Sequence, residues 1–118
     1  MRILSLIAFT LLLLPLRSLA DESKADDITF AEHIAPLVFA NCTTCYRPGQ
    51  VAPFSLLNYA DVRKRAKTML RVMEERYMPP WQPEPGHGNF RDARRLTDSQ
   101  IAMFDRWVKA GTAEGDPC

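Results

Sequence analysis

Cys42 and Cys45 stand in the run Cys42-Thr43-Thr44-Cys45-Tyr46, a spacing with three common chemical uses. It can give half of a zinc site, a redox-active dithiol, or a pair of thioether anchors for haem. Zinc needs four ligands, usually with a second pair at short spacing. The remaining donors here, His33, His87 and Cys118, are scattered singly. Dithiol oxidoreductases place the first cysteine at a helix start on a βαβ scaffold. This chain has no strand pattern, and Cys42 follows a helical segment rather than opening one. Haem attachment uses Cys-x-x-Cys-His, in which both thiols add to vinyl groups and the histidine binds iron. The fifth position here is Tyr46. The residues alone therefore leave a haem site and a haem-free dithiol or disulfide both open.

Three helical segments have to position that pair. Thr29-Phe30-Ala31-Glu32 fits a capping box, and Phe30, Ile34 and Leu37 then share a face, with His33 beside them. The first helix is expected from near Thr29 to about Ala40, with a kink at Pro36, which lacks an N–H. Residues 47–50 read as a turn and 51–57, which carry Pro53, as a packed loop. Asn58 should cap a second helix over about 59–77, where Val62, Ala66, Met69, Leu70 and Met73 keep helical spacing. Arg63, Lys64, Lys67 and Arg71 fill its solvated side. Residues 78–88 contain four prolines and two glycines and must be an extended, rigid loop. A second capping box, Thr97-Asp98-Ser99-Gln100, opens the last helix, and Gly111 is a natural stop. Ile101, Phe104, Trp107 and Val108 give that helix its apolar face. The expected fold is all-α, with three main helices and long structured loops.

The chain has 118 residues, 47% hydrophobic and 25% charged, with net charge +1. That suits one small domain and excludes a multi-domain enzyme or a disordered chain. No strong positive field exists to hold nucleic acid. Residues 1–20 combine a basic start, an apolar run from Ile3 to Leu14, and small residues at Ser18 and Ala20, as in a secretory signal peptide. Uncleaved, the segment would be a membrane anchor, but the run is short for a span of about 20 residues. Residues 21–27 then read as a solvated leader and 28–118 as the domain. Export places the protein in a periplasmic or secreted setting, where thiols can be oxidised or can receive haem. Cys118 makes the cysteine count odd and could join two chains through a disulfide.

A helix, a cysteine pair, a proline loop carrying a methionine and an aromatic-bearing helix follow one another in an order that resembles small class I c-type cytochromes. The run Cys42–Phe54 is similar to one family of bacterial exported haem c domains, as are Tyr77-Met78-Pro79-Pro80-Trp81, Arg94–Gln100 and Arg106–Gly111. Such domains occur alone or joined to copper ascorbate-dependent monooxygenase or thioredoxin-like modules. The resemblance covers about residues 28–117. It implies a class I cytochrome c-like fold, covalent haem c on Cys42 and Cys45, and Met78 as distal iron ligand, with His87 as the competing candidate. It further implies one-electron transfer rather than enzymatic catalysis, with other exported redox proteins as partners. Trp81 and Trp107 would pack in the core or against the cofactor.

Tyr46 departs from the family at the proximal histidine position. In one state it binds iron as a phenolate, which the iron must stabilise because a free phenol titrates near ~10. Such a ligand favours ferric iron and lowers the potential. In another its ring turns away, and His87 or water binds instead. In the third no haem is attached, and Cys42 and Cys45 form a disulfide in a thiol–disulfide exchange protein or a degenerate binding module.

Overall fold

The computed structural model describes residues 27–117; the expected signal peptide (1–20), most of the leader (21–26) and Cys118 lie outside the described residues. Among the described residues there are three α-helices and no strand, which is the expected all-α class. They are α1 (Ala35–Asn41), α2 (Tyr59–Glu74) and α3 (Asp98–Lys109). None is long and apolar enough to cross a membrane.

A π-helical turn, Phe30–Ile34, leads into α1. Pro36 explains its position. Proline cannot donate to the carbonyl four residues back, and its ring crowds that carbonyl. The chain answers with a wider turn just upstream: the Ile34 N–H donates to Thr29 O at 3.2 Å and the Ala35 N–H to Phe30 O, both five residues back. The kink expected at Pro36 is thus a widened turn before it.

The expected Thr29–Glu32 capping box does not form; Thr29 is the N-cap residue, but its side chain accepts no capping bond. The work is done from elsewhere in the chain. The N–H groups of Phe30 and Ala31 donate to the carbonyls of Ala113 and Glu114, both at 2.9 Å, and the Thr29 N–H meets His33 Nδ1 at 3.3 Å. Gly115 makes this approach possible. A Cβ there would lie 2.7 Å from Thr29 Cβ, and its φ of +78° is one that L side chains rarely adopt.

α2 ends at Glu74, short of the expected residue 77. Arg76, at φ 57°, takes the left-handed conformation and closes a Schellman motif. Its N–H donates to Met73 O (3.1 Å), and those of Tyr77 and Met78 to Val72 O (2.9 and 3.0 Å). The Arg76 side chain pairs with Asp98 and donates to Leu96 O, which holds the turn against the start of α3. α3 follows the sequence expectation. Thr97 and Gln100 cap reciprocally, and Gly111 at φ 100° closes a second Schellman motif through Val108 O and Trp107 O.

The core lies where the start of the first helix, α2 and α3 meet. Ile34, Val38, Val62, Phe104 and Trp107 are fully buried. The Trp107 ring sits 6.2 Å from Phe30 and 5.4 Å from Phe104. Its Nε1 donates to Ala113 O, and Tyr59 Oη to Thr112 O, both at 2.8 Å. The C-terminal segment therefore satisfies the polar tips of the core aromatics as well as the helix start.

Candidate functional site

α1 stops at Asn41, and Cys42 is its C-cap, with its N–H still bonded to Val38 O at 2.8 Å. The chain then turns tightly: the N–H groups of Cys45 and Tyr46 both donate to Cys42 O, at 3.2 and 3.1 Å. The apolar loop that follows folds back onto this turn. Ala52 N–H reaches Cys45 O (3.2 Å) and Leu56 N–H reaches Tyr46 O (2.9 Å). The cysteine turn and residues 51–57 therefore form one wall, with little freedom between its two parts.

Facing that wall is a cavity of about 670 Å³. Met69, Val72 and Met73 of α2 line it from one side. The Schellman turn at Arg76 redirects the chain so that Tyr77, Met78, Pro79 and Pro80 also reach it. Gln82 holds this arm in place by donating Nε2 to Arg76 O (2.9 Å) and Pro79 O (2.8 Å). Cys42, Cys45, Tyr46 and Met78, which the sequence singled out, thus line one cavity. All four are half-buried.

The expected alternatives fall elsewhere. His87 is exposed and is not among the lining residues. His33 bonds locally at the start of the first helix. Trp107 is a core residue, whereas Trp81 stands 63% exposed, edge-on to Phe90 and away from the lining. Among the described residues no three His, Cys, Asp or Glu side chains gather as a metal-binding group.

Burial and, secondarily, the nearby Cys45 push the Cys42 thiol up to about 11. Its place at a helix C-terminus acts in the same direction, because the helix dipole disfavours an anion there. Burial first, then Cys42, Cys45 and Tyr77, raise the Tyr46 phenol above its ordinary value. In the chain alone both groups stay protonated at neutral pH. The Tyr46 ring packs on Phe54 at 4.9 Å, and the Arg65 guanidinium lies 4.1 Å from the centroid of the same Phe54 ring.

Arg65 and Arg94 are the residues that sequence reasoning missed. Among the described residues they are the only charged side chains in the lining, and both are half-buried. Arg65 hides in a run of basic residues on α2, and Arg94 lies in an irregular stretch, so neither carries a periodic signal that separates it from the solvated charges nearby.

The lining places a mostly apolar surface beside two cysteines carried on one turn. Its volume falls among pockets that bury cofactor-sized ligands. It also offers two thiols on one turn, and as neutral donors the thioethers of Met69, Met73 and Met78 and the phenols of Tyr46 and Tyr77. No family, no curated protein and no solved structure matches the chain.

Proposed function

We propose that this chain is an exported, class I-like c-type cytochrome that passes single electrons to and from other exported redox proteins in the periplasm or outside the cell. The observation that carries the reading is the convergence of Cys42, Cys45, Tyr46 and Met78, from two separate chain segments, on one almost wholly apolar cavity. Haem c, when bound there, supplies the one-electron couple of its iron. Cys42 and Cys45 anchor it through thioethers. Met78 offers a soft neutral sulfur that favours the ferrous state, and Tyr46 offers an oxygen that favours the ferric state once deprotonated. The apolar walls keep water from the ring, and the Cys45 and Tyr46 bonds to residues 52 and 56 keep the anchors fixed.

The rival, a thiol–disulfide exchange protein, needs a low-pKa attacking thiolate in an electropositive, accessible position. Cys42 has the opposite surroundings: a helix C-terminus and a raised pKa. Cys42 is therefore poorly suited to be the attacking thiol, which counts against that rival.

The experiment is a pyridine haemochrome spectrum of the mature protein, made in a host with haem-attachment machinery and then denatured and extracted with acid–acetone. Haem that stays with the polypeptide supports the reading; haem that is extracted, or absent, ends it. In the haem-loaded protein, Met78→Ala should alter the visible spectrum and lower the potential. An unchanged spectrum removes Met78 from the site.

A further inference from the structure

Among the described residues, the cavity lining contains two guanidiniums and no carboxylate. Arg65 and Arg94 are both half-buried, and among the described residues neither pairs with an acid. Half-burying a cation beside an apolar hollow costs solvation, and no carboxylate among the described residues offsets it here. Arg65 is also held in place. Its guanidinium stacks over Phe54 at 4.1 Å, and Nη1 makes only a long 3.4 Å bond to Asp61 O. A guanidinium has five N–H donors, so most of those on Arg65 remain for an anion lying at its edge. A wholly apolar ligand would leave both cations unpaired. A ligand with an apolar ring and carboxylates at its rim would answer both features of the lining.

We propose that Arg65 and Arg94 bind the carboxylates of the ring held in this cavity and so keep them ionised in a site that otherwise disfavours charge. The inference rests on the haem reading above, and haem c carries two carboxylates at its edge. The two residues are positioning residues: they fix the ring's orientation and its charge, and take no part in iron ligation. An ionised carboxylate beside a guanidinium has its pKa lowered by about 1–3 units, whereas one buried without a partner has its pKa raised.

The test is the pH dependence of the visible spectrum and of the midpoint potential of the haem-loaded protein, compared with Arg65→Gln, Arg94→Gln and the double variant. The exposed Arg95→Gln serves as the control. In the wild type the carboxylate-linked step should lie at low pH. In each single variant it should move to higher pH by about one unit, and further in the double variant. Arg65→Lys with Arg94→Lys should restore the low position, because the charge returns. Each single variant keeps one guanidinium, so the result does not depend on the double variant folding. Profiles that superpose on the wild type overturn the inference and leave the haem reading intact. A step that moves equally in Arg95→Gln also overturns it, since a general surface charge would then be responsible. A wild-type protein that carries no haem overturns the reading and the inference together.

Discussion

The corner built around Phe30, Phe104 and Trp107 and the cavity beside Cys42 and Cys45 share α2 as a wall, yet they differ in completeness. In the corner, aromatic rings meet at 5.4–6.2 Å, and the buried Trp107 and the half-buried Tyr59 both find carbonyl partners. At the cavity, Val51 is 88% and Tyr77 70% exposed, Tyr46 and Phe54 line its wall, and among the described residues Arg65 and Arg94 have no acidic partner. Protein interiors close to crystal-like density where the chain supplies all the atoms. Exposed apolar side chains around a concave surface mark a candidate binding site. The corner is thus the main source of stability, and the cavity is where the proposed function would sit.

The largest effect should come from breaking the corner. Trp107→Ala removes a fully buried indole and one of the two donors to Ala113 O, the other being the Phe30 N–H at the start of the first helix. A loss of about 3–5 kcal/mol is expected, enough to consume much of a small domain's stability. Urea unfolding followed by far-ultraviolet circular dichroism measures it. A cost below about 1 kcal/mol would mean the corner is not where the chain is held.

The next effect belongs to the cavity and depends on pH. In the haem-free chain, the folded Cys42 thiol titrates at about 11, against 9.0 for an ordinary thiol. Because the folded pKa is the higher one, the folded state binds more protons between those values. Its contribution is complete below pH 9 and is lost as pH rises through 11. Two units correspond to about 2–3 kcal/mol. Stability measured from pH 8 to 11.5 should fall in the haem-free protein by at least that amount, since the raised Tyr46 phenol adds to it, and Cys42→Ser should remove the thiol's share. Thioether formation removes the titrating proton, so the haem-loaded protein should lose this arm too.

How far these two regions were legible in the sequence depends on whether a signal was local. α2 and α3 end in the same Schellman geometry, but one stop was readable and the other was not. Gly111 advertises its left-handed φ of 100°, whereas Arg76 adopts 57° against its own preference, held by Asp98 and by the carbonyl of Leu96, some twenty residues on. The Thr97 capping box was readable because both partners lie within three residues. The Thr29 box failed because its place was taken by carbonyls at 113 and 114, a contact no local pattern encodes. The cysteine pair was legible from residue type and spacing, and Met78 through the family resemblance of the run around it. Arg65 and Arg94 were not, because a charge lining a cavity and a charge in water look alike in sequence. The local stop can be tested directly. Gly111→Ala meets no atom within 4 Å, so its cost is purely conformational, about 1–2 kcal/mol. A denaturation midpoint unchanged from wild type would show that the chain beyond α3 can take another path.

The smallest effect is the most discriminating between the two regions. Val51 is 88% exposed and lines the cavity mouth. In a Cys42→Ser, Cys45→Ser background, which cannot anchor haem, Val51→Ala should change stability by no more than about 0.5 kcal/mol. In the haem-loaded protein the same truncation takes apolar area from a surface lying on the ring, at roughly 25 cal/mol per Å². It should then cost more, on the order of 1 kcal/mol. A difference between the two backgrounds locates the ligand against residue 51. Equal values would mean that whatever fills the cavity leaves its rim uncovered, and Val51 would then be surface rather than site.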